Sequence, residues 1–321
     1  MNTETLSVRV ARKASAAFDI STFLLVAADG QGLPPFSAGA HIEVHVPGVG
    51  GRQYSLCNDP SECGQYLIAV LRDPASRGGS IAMHDSVKEG DLLKISAPRN
   101  HFPLSHEADH SLLIAGGIGI TPLLCMAEYL QGNRAGFDLH YCTRSRERTA
   151  FLDRIVSSDF AQHSHFHFDD GEPEQRLDVQ RLLRTSSAGT HLYVCGPTGF
   201  MDFLISSARD AGWPDSHVHR EYFAGKLEIL ASDSAFDVRI ASSGRLVHVP
   251  CGKTVLQALA GSGLLVPTSC EQGVCGTCIT RVLDGIPDHR DLYLSSEEQA
   301  ANDQFIPCCS RSKSSLLVLD L

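Results

Sequence analysis

The sequence predicts a multidomain protein: an antiparallel β-barrel, then an α/β domain with a parallel sheet, then a small α+β domain of the β-grasp type. Three changes of pattern along the chain predict this order. Short alternating strands fill the first hundred residues, strands alternate with helices from about residue 110, and a hairpin with two short helices follows residue 234. The length of 321 residues allows two or three domains of ordinary size.

The first domain, predicted over 1–108, has the pattern of half-buried antiparallel strands. Residues 41–46 (HIEVHV) alternate apolar and polar side chains, and 66–71 form a second strand candidate. Turn clusters at 48–51 and 58–60 separate such runs. Many short strands joined by Gly and Pro turns are typical of a small barrel.

The second domain, predicted over 109–224, begins with an apolar run at 111–115, as in a buried parallel strand. A glycine-rich turn follows, after which Thr121 and Pro122 predict the N-cap and the first position of a helix. Further strands alternate with helical patterns, which is the signature of a parallel α/β sheet. These strands are predicted at 137–142, 164–168, 191–195 and 217–222.

The last domain, predicted over 235–321, follows a predicted linker at 225–234. Its pattern is that of a compact module of under ninety residues that mixes strands and helices. It contains a hairpin, a helix, a second helix that begins with a capping box, and a final strand: 236–241 with 246–250, 254–260, Ser295 with Glu298, and 316–319.

Composition and charge exclude several classes of function. The chain has 27 Lys and Arg against 37 Asp and Glu, a formal net charge of −10. Because a nucleic-acid-binding protein needs a basic face, no nucleic acid is expected as a partner. The longest apolar stretch, 112–127, is broken by glycines and a proline and is too short to span a bilayer. Since the N-terminus has no apolar signal core, we expect no membrane partner and a cytoplasmic location.

Four cysteines have the spacing of an iron–sulfur site. Cys270, Cys275 and Cys278 give C-x4-C-x2-C, and Cys308 follows after 29 intervening residues. This is the plant-type [2Fe–2S] spacing, in which one tight loop supplies three of the four thiolates. The adjacent Cys309 competes as fourth ligand. Because neighbours on a strand point to opposite faces, only one of the two can reach the cluster, and we predict Cys308.

A zinc site or a set of redox dithiols is the alternative interpretation of these cysteines. Zinc sites usually use paired C-x2-C spacings, to which x4 followed by x2 is a poor match. Gly273 and Gly276 allow the backbone of the loop to bend so that its N–H groups point at the sulfurs, which stabilises a reduced cluster. The pattern therefore favours [2Fe–2S].

Two turns in the second domain predict a nucleotide site. Residues 116–122 (GGIGITP) and 195–197 (CGP) each end a predicted strand and open a predicted helix. Open α/β sheets bind ligands at the carboxyl ends of their strands, where glycines admit phosphates and the helix start favours negative charge. A tight turn without any ligand would explain one such glycine loop. Two of them at strand ends favour a nucleotide.

Two short motifs in the first domain favour a flavin phosphate site. Residues 52–55 (RQYS) offer an Arg that can clamp a phosphate, a Tyr that can stack on a ring and a Ser that can reach a ring nitrogen. Residues 77–80 (RGGS) precede a short helical pattern and offer backbone donors for a phosphate. Either motif alone would be read as an ordinary turn, and their occurrence together before a nucleotide domain indicates a flavin.

Together these residues make the chain resemble the phthalate dioxygenase reductase and vanillate O-demethylase oxidoreductase family of single-chain iron–sulfur flavoproteins. The resemblance covers essentially the whole chain, in the order flavin barrel, nicotinamide domain and C-terminal ferredoxin. Seven segments carry it: RQYSLCNDP (52–60), RGGSIA (77–82), LIAGGIGITPLL (113–124), YVCGPTGFM (193–201), SCEQGVCGTC (269–278), DHRD (288–291) and CCSRSKSSLLVLDL (308–321).

The resemblance implies a role for each matching residue. Ser55 would orient the flavin edge that receives a hydride, and Cys195 would lie beside the nicotinamide carbon that gives it up. The residues implied to hold FMN, the flavin used with this domain order, are Arg52, Gln53, Tyr54, Ser55, Val70, Leu71, Arg72, Gly78, Gly79, Ser80 and Phe223. The residues implied to hold the nicotinamide nucleotide are Gly116, Gly117, Ile118, Gly119, Thr121, Pro122, Cys195, Gly196 and Pro197.

The choice between NADH and NADPH depends on two strand ends of the nucleotide domain. Residues 143–148 (TRSRER) are basic, and Arg144 could accept a 2′-phosphate. Asp169, after the third strand, would suit a free ribose hydroxyl or repel a phosphate. Because the family prefers NADH, we expect NADH, with NADPH as the alternative.

The implied function converts two-electron chemistry into one-electron chemistry. NADH gives a hydride, a [2Fe–2S] cluster takes one electron, and FMN can do both. In this family the acceptor is a Rieske-type, non-haem iron oxygenase, and the chain would be its monomeric reductase component. One alternative is a diaphorase for small acceptors, in which a ferredoxin would have no purpose. The other is a redox sensor, which would not need both nucleotide turns.

Overall fold

The computed structural model describes residues 5–223, 225, 230 and 232–321. The chain divides into two compact units, 1–221 and 222–321. Half of the residues of the predicted linker lie outside the described part of the chain. The predicted domain boundaries stay predictions.

Seven strands and one helix form the first part of the first unit. Alternating side chains, as along HIEVHV, put one apolar face of each strand into a shared core. The elements are β1 (Thr5–Ala17), β2 (Ile20–Ala27), β3 (Ala40–Val46), β4 (Gly50–Ser55), β5 (Gln65–Leu71), α1 (Gly79–Asp85), β6 (Leu92–Ser96) and β7 (Arg99–Asn100).

These strands form one antiparallel sheet that closes on itself. Their order is β4-β3-β6-β1-β2-β5, with β7 beside β3. A single antiparallel bridge between Leu56 and Ile68 joins the two ends of this order, so the sheet becomes a barrel. Leu56 and Ile68 are both fully buried, which places this closure in the core.

A parallel sheet with helices forms the rest of the first unit. The elements are β8 (His110–Gly116), α2 (Ile120–Gly132), β9 (Phe137–Thr143), α3 (Leu152–Val156), β10 (Ser164–Phe168), α4 (Val179–Thr185), β11 (Thr190–Cys195), α5 (Thr198–Asp210) and β12 (Val218–Glu221). The strand order is β10-β9-β8-β11-β12, and every neighbouring pair is parallel. β8 and β11 are central and almost entirely buried, as their apolar runs predict.

The start of α2 differs from the prediction. A 3₁₀ turn over Gly117–Gly119 runs directly into α2, so Thr121 is not the N-cap, and its hydroxyl donates to the carbonyl of Ile118 at 3.1 Å. Pro122 lies in the first turn rather than at the first position. The missing N–H of Pro122 is harmless there because the first N–H groups of a helix have no partner within it. The glycines before Thr121 begin the helix earlier than the capping preference of Thr predicts.

The second unit is a mixed sheet with two capped helices. Its elements are β13 (Phe236–Ile240), β14 (Leu246–Val249), α6 (Val255–Gly261), β15 (Thr280–Asp284), β16 (Pro287–Asp288), α7 (Ser296–Ala301), β17 (Gln304–Phe305), β18 (Arg311–Ser312) and β19 (Leu316–Leu319). The order is β14-β13-β19-β15-β17, with β13 parallel to β19, and β16 pairs with β18. The predicted capping box of Ser295 and Glu298 is present at α7. The three sheets confirm the predicted fold class.

A buried ion pair holds the end of the predicted linker to the second unit. The Asp233 carboxylate accepts two hydrogen bonds from Arg290, at 2.5 Å and 3.1 Å, and its side chain is 3% exposed. Arg290 also donates to Asp288 at 2.8 Å, and Arg311 donates to the carbonyl of Ser234 at 3.0 Å. These bonds from Arg290 hold the pKa of Asp233 below its usual range.

None of the helices in the described part of the chain is long and apolar enough to cross a membrane. The longest, α2 and α5, have 13 residues each and pack against the parallel sheet.

Two groups of histidines lie on the parallel sheet. On β9 and β10, His140 Nδ1 lies 3.0 Å from His167 Nε2, and the ring of His140 stacks on that of His165. On β11 and β12, His191 Nδ1 lies 2.9 Å from His219 Nε2. Burial and then the neighbouring histidines lower the pKa of His140 to about 3 and that of His219 to about 4. His140 and His219 are therefore neutral in the folded domain near neutral pH.

We expect the free energy of unfolding to fall less steeply with acidification in a His140→Gln variant than in the wild type. In the unfolded chain His140 takes up a proton as the pH drops below about 6.5. In the folded domain it stays neutral down to about pH 3, so the stability that it contributes is lost progressively over this interval. Urea unfolding at pH 7 and pH 5.5 should show a difference of about 1 kcal/mol between the two proteins.

The effect is measured as a difference between variants, because two carboxyl groups change the free energy of unfolding with pH in the opposite sense. Burial raises the pKa of both Glu128 and Glu221 to about 7, so the stability that they contribute is lost as the pH rises from about 4.5 to 7. The exposed His106 is the control, and His106→Gln should follow the wild-type curve. Identical pH profiles for His140→Gln and His106→Gln would contradict the assignment.

Candidate functional site

The carboxyl ends of all five parallel strands meet at one edge of the sheet. Gly116 is in register with Cys142, Thr143 with Phe168, and Cys195 with both Ala115 and Glu221. The two glycine turns predicted from the sequence therefore lie side by side, at the ends of the neighbouring strands β8 and β11. This edge is where open α/β sheets bind ligands.

The two turns touch each other backbone to backbone. A Cβ on Gly119 would lie 2.2 Å from the carbonyl oxygen of Cys195, and a Cβ on Gly196 would lie 3.0 Å from the Cα of Gly116. A Cβ on Gly116 would lie 2.8 Å from the ring of Phe200. These glycines are required because no side chain fits between the turns, which is a separate reason from approach of a phosphate.

The residues predicted to bind nucleotide divide into two sets. Gly117, Ile118 and Pro197 reach the surface of this edge, and Gly117 has a φ of 54°. Thr121 and Pro122 are buried inside the first turn of α2, and the Thr121 hydroxyl is used within the turn. These two residues are part of the helix start, and their contact with a nucleotide stays a prediction.

The two residues that bear on nucleotide choice stand at neighbouring strand ends. Arg144 follows β9 and Asp169 follows β10, and the Asp169 N–H donates to the carbonyl of Thr143 at 3.0 Å. Both side chains are exposed. The basic and acidic features seen in the sequence therefore lie at the same edge.

A part-buried serine–glutamate contact joins the barrel to the parallel sheet. Ser55, at the end of β4, donates from Oγ to Glu221 Oε2 at 3.1 Å. Glu221 ends β12 beside Cys195, and burial raises the pKa of Glu221 to about 7. Burial, with the Glu221 carboxylate as second cause, raises the pKa of the fully buried Cys195 thiol well above its usual value. Cys195 is thus a neutral thiol, and Glu221 is a carboxyl group poised between its two states.

Glu221 was missed by the sequence reasoning. It stands one residue before Tyr222 and two before Phe223, in a segment noted only for its aromatic residue. Its position at the end of a strand of the nucleotide domain was the available signal. Its pairing with Ser55, 166 residues away along the chain, has no sequence signature.

Two runs of predicted flavin residues, RQYS (52–55) and Val70 to Arg72, lie at the ends of β4 and β5. The Leu56–Ile68 bridge joins these two strands, and in the described residues no other bridge does so. We call the part of the barrel wall between the two runs, where no strand ladder is formed, the gap. Tyr54 packs against the barrel core, and burial raises its pKa to about 12. Gln53 lies opposite Glu43 on β3.

The RGGS turn closes one end of this gap. Arg52 donates from Nη2 to the carbonyl of Arg77 at 3.2 Å, and its side chain fills the space that a Cβ on Gly79 would need, at 2.7 Å. Ser80 Oγ accepts from the Asp73 N–H at 3.1 Å, which ties the turn to the end of β5. Gly78 has a φ of 84°. The guanidinium and the turn are therefore assembled in one place.

Four of the predicted flavin residues have other contacts or exposure. Arg72 forms an ion pair with Asp85 at 2.9 Å, and the carbonyl of Val70 lies 2.8 Å from His84 Nε2. Leu71 packs with the small cluster around Ile20. Phe223 is 40% exposed and belongs to the second compact unit.

The four predicted ligand cysteines converge in the second unit. Hydrogen bonds from the Cys275 and Cys308 thiols, and then from backbone N–H groups including that of Gln272 at 3.3 Å, lower the pKa of Cys270. Cys308 also lies within hydrogen-bonding distance of Cys278. The thiols come from the loop before β15 and from the segment before β18.

The loop is shaped as a cradle for these sulfurs. Gly273 and Gly276 have φ values of 74° and 67°, and a Cβ on Gly276 would overlap the ring of Tyr293 at 2.2 Å. Backbone N–H groups point at a cysteine sulfur, as iron–sulfur sites require. A set of four thiols linked by these pairwise contacts, with backbone donors, fits a [2Fe–2S] cluster.

Cys309 has a different environment from Cys308. Its Sγ lies 3.7 Å from the carbonyl of Ile306 and 3.7 Å from Ser310 Oγ. The same sulfur occupies the space beside Gly273, 2.5 Å from where a Cβ would stand. Cys308 thus lies with the other three thiols, while Cys309 is seated against the loop backbone.

Two family models match the chain. Residues 238–313 match a 2Fe-2S iron-sulfur cluster binding domain, and residues 95–218 match the N-terminal domain of dimethylamine monooxygenase subunit DmmA-like proteins. The chain is 54% identical over 305 residues to vanillate O-demethylase oxidoreductase from Pseudomonas sp. strain HR199, which covers 95% of this chain and 96% of that protein. The chain belongs to the oxygenase reductase family of that protein and of phthalate dioxygenase reductase.

Solved structures agree with membership of this oxygenase reductase family. Phthalate dioxygenase reductase, described as a modular structure for electron transfer from pyridine nucleotides to [2Fe–2S], is 40% identical and covers 99% of this chain and 98% of its own, with a TM-score of 0.75. An intact type IV self-sufficient cytochrome P450 monooxygenase is 39% identical with a TM-score of 0.87, and the match covers 99% of this chain and 41% of that one.

Membership of the family confirms the predicted resemblance, activity and cofactors. The chain is an oxidoreductase that uses NADH, FMN and a [2Fe–2S] cluster, and it serves as the reductase component of an oxygenase system. The diaphorase and redox-sensor alternatives are set aside, and so is zinc as the metal. The roles of individual residues remain proposals.

Replacing Gly119 by Ala should destabilise the first unit and weaken NADH binding in this oxygenase reductase. The new Cβ would lie 2.2 Å from the carbonyl oxygen of Cys195, and backbone cannot move aside as a flexible side chain can. Overpacking of this kind costs about 1–3 kcal/mol. Gly132→Ala is the control, because nothing lies within 4 Å of its new Cβ. Equal melting temperatures and equal NADH dissociation constants for the two variants would contradict the close packing of the turns.

Proposed function

We propose that the chain reduces a Rieske-type, non-haem iron oxygenase that acts on an aromatic acid or an aryl ether. The observation that carries this proposal is the 54% identity, over almost the full length of both chains, to vanillate O-demethylase oxidoreductase. A cytochrome P450 monooxygenase is the second candidate partner, because the self-sufficient P450 contains a closely similar chain. We further propose that the reductase works as a monomer.

The FMN site would lie in the gap between β4 and β5. Bound FMN links a two-electron donor to a one-electron acceptor, because it accepts a hydride and releases electrons singly. Arg52 and the turn at Gly78–Ser80 would hold the phosphate. The guanidinium is already held to this turn through the Arg77 carbonyl, so it meets an anion with little rearrangement.

Ser55 and Glu221 would control the hydrogen bond offered to the flavin edge. While Glu221 is ionised, Ser55 directs its only hydrogen to the carboxylate. Once Glu221 is protonated, the carboxyl group can donate to Ser55 Oγ, which frees the serine hydrogen for another acceptor. The oxidised flavin nitrogen that receives the hydride is such an acceptor. Cys195, a buried neutral thiol, supplies packing at the nicotinamide site rather than a base.

The rate of flavin reduction by NADH should fall as the pH rises through about 7, and this dependence should disappear in Glu221→Gln. Burial raises the pKa of Glu221 to about 7, and the neutral form releases the Ser55 hydrogen toward the flavin. Anaerobic stopped-flow absorbance between pH 6 and pH 8.5 measures this rate. Ser55→Ala should reduce its flavin about 10- to 100-fold more slowly than the wild type, and this rate should not depend on pH. An unchanged inflection in Glu221→Gln would assign the pH dependence to another group.

Reconstitution with an oxygenase tests the proposed partner. The purified reductase, NADH and the oxygenase component of the vanillate O-demethylase from Pseudomonas sp. strain HR199 should together consume vanillate. Omission of the reductase should abolish this activity, and NADPH should support it more weakly than NADH because of Asp169. Full NADH oxidation with small acceptors but no turnover with this oxygenase, or with the phthalate enzyme, would refute a Rieske-type partner.

The Cys308→Ser variant separates the two halves of the electron path. The variant should still reduce ferricyanide, a small acceptor that takes electrons from the flavin. Its electron transfer to the oxygenase should fall by 100-fold or more, on the order expected when a required metal ligand is lost. Cys63→Ser, at an exposed cysteine of the barrel, is the matched control. Wild-type transfer in Cys308→Ser would remove Cys308 from the ligand set.

A further inference from the structure

The segment Asp288–Asp291 (DHRD) was singled out in the sequence but has no part in the function derived so far. In the structure it runs from β16 into the loop before α7. Arg290 anchors the linker end through Asp233. The last residue of the segment, Asp291, points inward, and its side chain has no solvent exposure.

This segment is bonded to the ligand loop. The Leu292 N–H donates to the carbonyl of Gly273 at 3.0 Å, between Cys270 and Cys275. A Cβ on Gly273 would lie 3.2 Å from the Cα of Asp291, so the two backbones are in contact. The backbone after Asp291 therefore supports the loop that carries three of the cysteines.

The same segment is bonded to the residue that follows the cysteine pair. Ser310 is fully buried, its hydroxyl donates to Asp291 Oδ1 at 3.3 Å, and that hydroxyl accepts from the Arg290 N–H at 3.1 Å. The other oxygen of Asp291 accepts from the Leu294 N–H at 2.8 Å. His289 Nδ1 lies 3.7 Å from Asp291 Oδ1. One buried carboxylate thus connects the segment before α7 with the turn after Cys309, while the backbone beside it supports the ligand loop.

The turn has two orientations in principle, because either of two adjacent cysteines could face the other thiols. Cys309 is kept away by two contacts: its sulfur fills the space beside Gly273, and the next residue, Ser310, is bonded to Asp291. Rotating the turn so that Cys309 faced the site would break the Ser310 bond. It would also leave the carboxylate of Asp291 without one of its donors, which is costly for a buried charge.

We propose that Asp291 is a positioning residue that selects Cys308, and not Cys309, as the fourth ligand of the cluster. The proposal rests on the ligand set proposed above. Asp291 is not itself a ligand and acts through Ser310, whose hydroxyl donates to its carboxylate. An Ala at this position offers no acceptor to Ser310 Oγ or to the Leu294 N–H, so the bond that holds the turn is lost.

The test is Asp291→Ala in the full-length holoprotein, with the exposed Asp303→Ala as control. In the reduced Asp291→Ala protein we expect two overlapping [2Fe–2S] EPR signals in place of one. We also expect iron to be lost to a chelator about tenfold faster, as loss of a buried hydrogen bond implies. NADH-dependent ferricyanide reduction should be unchanged. A single wild-type EPR signal with wild-type iron loss would overturn the proposal.

The double variant Asp291→Ala/Cys309→Ser shows whether the second signal comes from Cys309. We expect this signal to disappear when Cys309 is removed, a result that a merely structural role of Asp291 would not give. A second signal that persists in the double variant would overturn the selection of Cys308. Should Asp291→Ala fail to fold, Ser310→Ala keeps the carboxylate and removes the bonds of the Ser310 hydroxyl to Asp291 and to the Arg290 N–H, and it should give the same second signal. A wild-type signal in Ser310→Ala would equally overturn the proposal.

Single cysteine variants distinguish failure of this inference from failure of the ligand set. Cluster loss in Cys308→Ser with a retained cluster in Cys309→Ser supports the ligand set independently of Asp291. The reverse pattern would overturn the ligand set and the inference together. Cluster loss in Cys308→Ser combined with wild-type behaviour of Asp291→Ala would overturn the inference alone.

Discussion

Backbone lies directly against backbone at the carboxyl ends of β8 and β11, where the Cys195 carbonyl occupies the space that a Cβ on Gly119 would need. This contact determines how closely the two turns of the nucleotide edge approach each other. It also fixes the end of β11, whose parallel neighbour β12 ends at Glu221. Glu221 in turn receives the hydrogen bond from Ser55 on the barrel. The nucleotide edge and the flavin gap are therefore positioned by one chain of contacts that begins at two glycine turns.

At the other sites, too, a neighbouring group occupies the space where a glycine would otherwise carry a Cβ. The aliphatic part of Arg52 fills the place of a Cβ on Gly79, and the sulfur of Cys309 fills that of Gly273. In each case the glycine admits a specific neighbouring group in this chain, so its presence is explained before any ligand is considered. This is also why glycine turns alone were weak predictors of phosphate sites, whereas the cysteine spacing, which directly encodes a donor set, was a strong one.

The sequence was sufficient for features that depend on local pattern. Apolar runs predicted the central strands of the parallel sheet, and the spacing of Ser295 and Glu298 predicted the capping box at α7. It failed for the N-cap of α2, where a 3₁₀ turn over Gly117–Gly119 overrode the preference of Thr121. It also missed Glu221 and the role of Asp291, because their contacts join segments far apart in the chain and leave no periodic trace. For the same reason, the segment around Asp291 was identified as a motif but not understood.

In the described residues, the bridge between Leu56 and Ile68 is the only one that joins the facing edges of β4 and β5 across the gap. Unpaired strand edges are templates for pairing with another chain, and proteins usually cover them. A flavin bound in the gap would cover both edges at once. The cofactor would then protect these edges from pairing with another chain, in addition to its redox chemistry. A chain synthesised faster than FMN is supplied would present two open edges in the same molecule. Loss of the cofactor would then lead to aggregation before it led to unfolding.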